Sequence, residues 1–308
     1  MDEEIIKIKS LLDSEKFEEA NMALEEALNK QSFSGELLTL KWQCKIKIGE
    51  FQEANKILSF MENTLDKEVY QGIICQSLNT INIRKQLAYE YLVGRGIEFG
   101  ALHNPLPIHR KKASVVYADR LTKLQALQRF PELKEVISPD LIIDFDKDDI
   151  SFLVNYDFDF FIANHFIEHV ANPIRFLRDL SSVMKSGSIL FLTVPNKEYT
   201  FDKKRGLTEN EHLWQDYINN ETNISDEHIE DFVLNTGDKI GLPATPSERK
   251  KIFNMHRGRS IHVHVWNRFS FDNFLNWINY KLDLRFEVMN THDPNTVLDE
   301  MIYLLRKQ

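Results

Sequence analysis

The chain has 308 residues, 43% of them hydrophobic and 28% charged, with a formal net charge of −9 from 47 acidic and 38 basic side chains. At roughly 150 residues per domain this length predicts about two domains, and the composition excludes a wholly disordered chain. The acidic balance argues against a broad nucleic-acid footprint, which needs clustered Lys and Arg.

Two cysteines, Cys44 and Cys75, fall in helical patterns and make no disulfide framework. The start, MDEEIIKIKS, carries acids where a signal peptide needs bases. The longest apolar runs, such as Ile189–Leu192, fall far short of the ~20 residues that cross a bilayer. These features predict a cytoplasmic protein with no membrane span.

Residues 1–67 read as helix throughout, with apolar positions such as Ile5, Ile8, Leu11 and Leu12 recurring at three and four. Lys16-Phe17-Glu18-Glu19-Ala20-Asn21 matches Glu50-Phe51-Gln52-Glu53-Ala54-Asn55 at an offset of 34 residues, and Leu24 and Leu58 keep that offset. Thirty-four is the period of tetratricopeptide helix pairs, so the segment resembles about two such units. It is either a docking surface for a protein partner or a second copy of the chain, or a plain helical bundle. Residues 68–91 read as a connecting helix.

From about residue 92 the period changes. Candidate strands are Gly96–Phe99, Ser114–Ala118, Leu141–Phe145, Phe158–Ala163 and Ser188–Val194, with helical patterns between several, notably Asn172–Met184. This alternation predicts an α/β domain with a mainly parallel, Rossmann-like sheet whose ligands bind at the strands' carboxyl ends. The first strand ends at Glu98-Phe99-Gly100-Ala101, and the second at Asp119, 21 residues after Glu98. An acid about 20 residues after a Gly turn is placed to bind a ribose diol. The turn lacks G-x-G-x-x-G, so a dinucleotide fits poorly and a nucleoside without phosphates fits better.

Glu98-Phe99-Gly100, Asp119, Asn164-His165-Phe166-Ile167-Glu168-His169 and Met184-Lys185-Ser186-Gly187-Ser188-Ile189-Leu190 together resemble the class I S-adenosylmethionine-dependent methyltransferases. Pro195-Asn196-Lys197-Glu198-Tyr199-Thr200-Phe201-Asp202, continuing through Arg205, Thr208, His212, Asp216 and Tyr217 to His262-Val263-His264-Val265-Trp266, looks closest to a bacterial subgroup with P-[DN]-K-x-Y-T-F-D after strand five. The resemblance covers residues 92–308 and implies a seven-stranded methyltransferase sheet binding S-adenosylmethionine and releasing S-adenosylhomocysteine. It implies that Glu98, Gly100 and Ala101 meet the methionine part, that Asp119 with Arg120 beside it holds the ribose, that Asp144 and Phe145 flank the adenine, and that Asn164 and His165 line the reacting side. Most relatives carry further glycines in the first turn, where this chain has Leu102 and Asn104.

Residues 196–268 form a long insertion, expected to build the acceptor site and a lid, with helical patterns at Glu209–Ile218 and Asp226–Leu234 and a loop from Thr236 to Pro246. Phe269–Tyr280 reads as a helix, and Leu284–Asn290 and Glu300–Arg306 as a closing hairpin turning through His292–Asn295, the family's usual ending. Methyl transfer to a hydroxyl needs a group that takes its proton, and histidine suits this. His165 and His169 are four apart and share a face if one helix holds both. His262 and His264 are two apart on a strand-like run and so face one side, as a base and its helper or as two ligands of a divalent metal with Asp202 or Asp216. Tyr199 either orients an acceptor or pins the lid. The expected activity is methylation of a small-molecule or glycan acceptor at oxygen. A non-catalytic scaffold of the same fold and a nicotinamide-dependent oxidoreductase are the alternatives.

Overall fold

The computed structural model describes residues 2–14, 16–30, 34–48, 50–65, 83–236, 245–258, 261–292 and 299–308. The chain divides into two compact units, Met1–Tyr91 and Leu92–Gln308.

The first unit contains α1 (Asp2–Asp13), α2 (Phe17–Lys30), α3 (Gly35–Ile48), α4 (Phe51–Thr64) and α5 (Ile83–Tyr91). Successive helices from α1 to α4 pack on one another, and α1 also touches α3. Ile8, Ala20, Leu24 and Cys44 are fully buried in one cluster, and Ala54 is buried as well. Ala20 and Ala54, equivalent in the internal repeat, thus both stand where a small side chain lets helices approach. The connecting helix expected over 68–91 lies outside the described residues as far as 82, and is helical from 83.

The second unit is a seven-stranded sheet in the order β3-β2-β1-β4-β5-β7-β6. Its strands are β1 (Gly94–Phe99), β2 (Ala113–Asp119), β3 (Leu141–Ile142), β4 (Phe160–Asn164), β5 (Ile189–Pro195), β6 (Phe286–His292) and β7 (Glu300–Lys307). The first five are parallel, while β7 runs antiparallel to both β5 and β6. β4 and β5 read as unbroken apolar runs because they are central and covered on both faces. Gly96 is needed where β1 meets β4: a Cβ there would lie 2.1 Å from the Phe160 ring.

The helices of this unit are α6 (Lys123–Arg129), α7 (Pro173–Val183), α8 (Asn210–Ile218), α9 (Asp226–Asn235), α10 (Pro246–Gly258) and α11 (Arg268–Lys281). The main core joins the sheet to α7 and α11 through Phe99, Phe161, Leu177, Leu192, Phe271, Phe274 and Tyr303.

Two expectations change. The third strand stops at Ile142 instead of Phe145, because the Asp144 side chain makes a turn: its Oδ1 accepts from the Asp146 N–H at 3.2 Å, and its own N–H donates to Asp148 at 2.8 Å. The loop expected from Thr236 to Pro246 lies outside the described residues at 237–244, and α10, which the sequence reading did not assign, begins at Pro246. The run 261–265 is not a strand, and its neighbour Trp266 makes only an isolated parallel bridge with Asn196. The hairpin turn after His292 lies outside the described residues as far as 298.

Candidate functional site

The chain reverses its progression across the sheet between β1 and β4, and in such sheets the crevice at the carboxyl ends of the strands is where ligands bind. Glu98, at the end of β1, is 1% exposed, and its carboxylate accepts the Leu106 N–H on both oxygens at 2.9 and 3.1 Å. The loop between them turns at Gly100, with φ +64°, where a Cβ would come within 2.9 Å of the Phe166 ring. Leu102 also takes a left-handed φ of +46°, and its carbonyl accepts from Ile137 at 2.6 Å. The turn therefore takes a left-handed step at a leucine.

Asp119 closes β2. Burial pushes its carboxyl up, against the Leu121 N–H, which donates to it at 3.0 Å, and the Arg120 charge. Beyond β3, Phe145 packs edge-on against Phe99 with ring centroids 4.7 Å apart, and against Phe166 at 5.2 Å. Asp146, which sequence reasoning missed, accepts the Ala171 N–H at 2.8 Å, and its carboxyl is raised to about 6, chiefly by burial. Its only sequence signal is the acid-x-acid pattern Asp144-Phe145-Asp146. Arg120, Asp144, Asp146 and Lys147 line a cavity of about 370 Å³ together with Thr222, Asn223, Ile224 and Arg257 of the insertion. A small-molecule pocket starts at roughly this size.

At the end of β4, both Nδ2 and Oδ1 of Asn164 are buried without a hydrogen-bond partner. An orphaned buried amide costs about 1–3 kcal/mol, which a bound polar ligand would recover. With the Glu98 loop, the Gly100 turn and the acidic cavity, this donor and acceptor set suits a nucleoside that carries an amino acid. His165 follows with φ +44°. Its backbone N–H donates to the Thr193 hydroxyl, and its Nε2 lies 2.8 Å from Glu300.

His165 and His169 do not share a helix face, because only Ile167–His169 form a helical turn, of the 3-10 type. They converge instead on Glu168. This carboxylate is wholly buried and has no hydrogen bond, and it lies 3.5 Å from His165 Nδ1, 3.6 Å from His169 Nε2 and 4.0 Å from His262 Nε2. His169 donates through Nδ1 to the Ile261 carbonyl at 2.7 Å, and burial lowers its pKa.

His262 and His264 part company. His262 Nδ1 bonds Asp202 at 2.6 Å. Burial opposes ionisation of Asp202, but His262 and Arg205 outweigh it and hold this carboxyl below its usual range. Arg205, itself buried, also bonds Asp231 at 2.7 Å and the His262 carbonyl at 2.7 Å, so it ties three parts of the insertion together. His264 turns to His212 and His228, with ring centroids 6.1 and 5.4 Å away. The two histidines thus belong to different groups and are not one base-and-helper pair. Tyr199 is exposed, as the last residue of a 3-10 turn, Lys197–Tyr199. Among the described residues, no helix is long and apolar enough to cross a membrane.

No curated protein matches the chain. Among solved structures it is similar to a Rhodobacter sphaeroides protein described as a zinc-dependent alcohol dehydrogenase, at 13% identity and TM-score 0.44, covering 74% of this chain and 90% of that one. It is similar to an S-adenosylmethionine-dependent methyltransferase from Methanosarcina mazei, at 14% identity and TM-score 0.36, covering 71% and 95%. A third, from Clostridium acetobutylicum and also S-adenosylmethionine-dependent, has 9% identity and TM-score 0.39, covering 82% and 98%. The family profile described as a methyltransferase domain matches residues 74–282, more than half of the chain. The chain therefore belongs to the methyltransferase-domain family and is an S-adenosylmethionine-dependent methyltransferase.

Proposed function

We propose that the enzyme methylates a hydroxyl of a small-molecule or glycan acceptor, and that the acceptor enters from the side of the 196–268 insertion. The observation that carries the reading is the buried, unpartnered Asn164 amide beside His165 at the end of β4. In this reading Glu98, Gly100 and Ala101 receive the methionine end of the cofactor. Asp119 accepts from the ribose diol, with Arg120 beside it. Asp144, the Phe145 ring and Asp146 border the adenine. Bound S-adenosylmethionine supplies an electrophilic sulfonium methyl.

His165 takes the hydroxyl proton. Glu300, 2.8 Å from Nε2, stabilises the imidazolium that forms, as a carboxylate does for a general base. The Asp202–His262 pair is the second candidate base, because Nδ1 is committed to the carboxylate and Nε2 is left to face Glu168. Tyr199, exposed on the insertion, orients the acceptor. Residues 1–67 form a tetratricopeptide-like arm that docks a protein partner or a second copy, and the acidic net charge supports an acceptor other than nucleic acid. The protein works in the cytoplasm.

Calorimetric titration with S-adenosylmethionine and S-adenosylhomocysteine, with NAD as control, tests the cofactor assignment residue by residue. Asp119→Ala weakens binding by about 1–3 kcal/mol, since a charged hydrogen-bond acceptor is lost. Unchanged affinity removes Asp119 from the site. His165→Ala leaves S-adenosylhomocysteine affinity close to that of the parent and lowers kcat in transfer of labelled methyl to a panel of sugar and phenol hydroxyls. A base contributes about 10²–10⁴-fold. Equal loss in His262→Ala alone transfers the role to the Asp202–His262 pair.

A further inference from the structure

Four side chains from three segments of the insertion meet at one point. His212 and Asp216 are i and i+4 on α8, so they share a face. His228 lies in the first turn of α9, and His264 comes from the buried run before Trp266. His212 Nε2 is 2.9 Å from His228 Nε2 and 3.3 Å from Asp216 Oδ2. One imidazole nitrogen or carboxylate oxygen from each of the four lies within 4.8 Å of the others.

These donors are poorly satisfied by the protein. Asp216 Oδ2 and both ring nitrogens of His264 are buried without a well-aligned hydrogen-bond partner; burial disfavours the charged form of the His264 ring overall, and the Ala171 backbone opposes this only in part. His264 is 1% exposed, so solvent cannot serve it. A cation at the centre would serve Asp216 Oδ2 and one of the two His264 nitrogens at once, removing the cost of leaving those two atoms unpaired.

We propose that His212, Asp216, His228 and His264 form a four-ligand site for a divalent transition metal of the zinc class. Three imidazoles and one carboxylate suit zinc and its neighbours, and not magnesium or calcium, which take oxygen ligands. Metal–ligand bonds of about 2.0–2.1 Å put the donor atoms of a tetrahedral shell about 3.3 Å apart, close to the two separations seen here. The outer contacts agree: Ser225 Oγ lies 2.9 Å from His228 Nδ1, which orients the ring and leaves Nε2 as the ligand. His212 is 45% exposed and gives the ion a route in.

Four protein ligands fill the shell, so the ion is structural and joins α8, α9 and the segment carrying His264. The neighbouring Glu168, His169 and His262 make a separate group with one donor fewer.

The test uses the full chain freed of any histidine tag. Elemental analysis should find about one zinc per chain, chelation should lower Tm, and added zinc chloride should restore it. His212→Ala/His228→Ala and, separately, Asp216→Asn should lose that zinc or bind it at least about tenfold more weakly, while His169→Ala retains it. Zinc retained in the double variant but lost in His169→Ala would place the ion on Glu168 and overturn the proposal. Cobalt(II) added to the chelated parent chain should give the visible absorption of a tetrahedral site, a reading that needs no variant. A parent chain that holds no zinc and gives no cobalt band also overturns it.

Discussion

Asp146 shows how burial of one group ties this fold to pH. Its carboxyl is raised from an ordinary 3.8 to about 6, first by burial; the Ala171 N–H opposes the shift and the Asp144 charge adds to it. Between these two values the native state holds more protons than the unfolded state, so stability falls as pH rises through that window and stays lower above it. Asp146→Asn keeps an oxygen for the Ala171 N–H and removes the charge. It should therefore leave stability unchanged near pH 4 and raise it by about 1–2 kcal/mol above pH 7, the full shift being discounted for partial solvent access. Calorimetric Tm at the two pH values checks this, and an equal difference at both would clear Asp146 of the effect. The strand-end positions of Glu98 and Asp119 were legible in the sequence because each closes an apolar run. Asp146 was not, because its burial depends on a turn made by the Asp144 side chain and on Ala171, 25 residues away.

The elements that could be read in advance are those whose own pattern decides them. Helix α7 buries Ile174, Phe176, Leu177, Leu180 and Val183 along one face, and its start is set by Asn172 and Pro173. Asn172 works in two directions: Oδ1 accepts the Arg175 N–H at 2.9 Å, and Nδ2 donates to the Asp216 carbonyl at 3.1 Å. Asn172→Ala should cost about 1–3 kcal/mol, from the lost cap and the carbonyl left bare, and Asn172→Asp less, because the cap acceptor survives. Urea midpoints measure both, and equal losses would mean that the cap contributes nothing. The elements missed or misread are those decided from outside. Helix α10 is dominated by polar residues such as Glu248, Arg249, Lys250 and Lys251, with Ile252 and Phe253 as its contacts to the small core around Ile229 and Ile261. The run 261–265 alternates as a strand does, but its alternation separates apolar packing from two histidine clusters. Its polar side is as buried as its apolar side.

Over the whole molecule, each unit carries a core of its own. One cluster lies within Ile5–Cys44, and the main cluster runs from Ile97 to Leu305. All seven strands belong to the second unit, as do Glu98, Asp119, Asn164, His165 and both histidine clusters. The family match begins at residue 74, after the four helices α1–α4. A chain that starts at residue 74 therefore retains α5, the whole sheet and every residue proposed above for the cofactor, and loses α1–α4, among which the cluster within Ile5–Cys44 lies. It should fold cooperatively and bind S-adenosylhomocysteine within about twofold of the full chain, a difference of less than about 0.5 kcal/mol. Methyl transfer to a free small acceptor should survive with it, whereas transfer to an acceptor presented on a partner protein should be lost if the N-terminal helices do the docking. A tenfold loss of S-adenosylhomocysteine affinity in the shortened chain would instead show that residues 1–73 help to build the cofactor site, and the arm could then no longer be treated as a recruitment module.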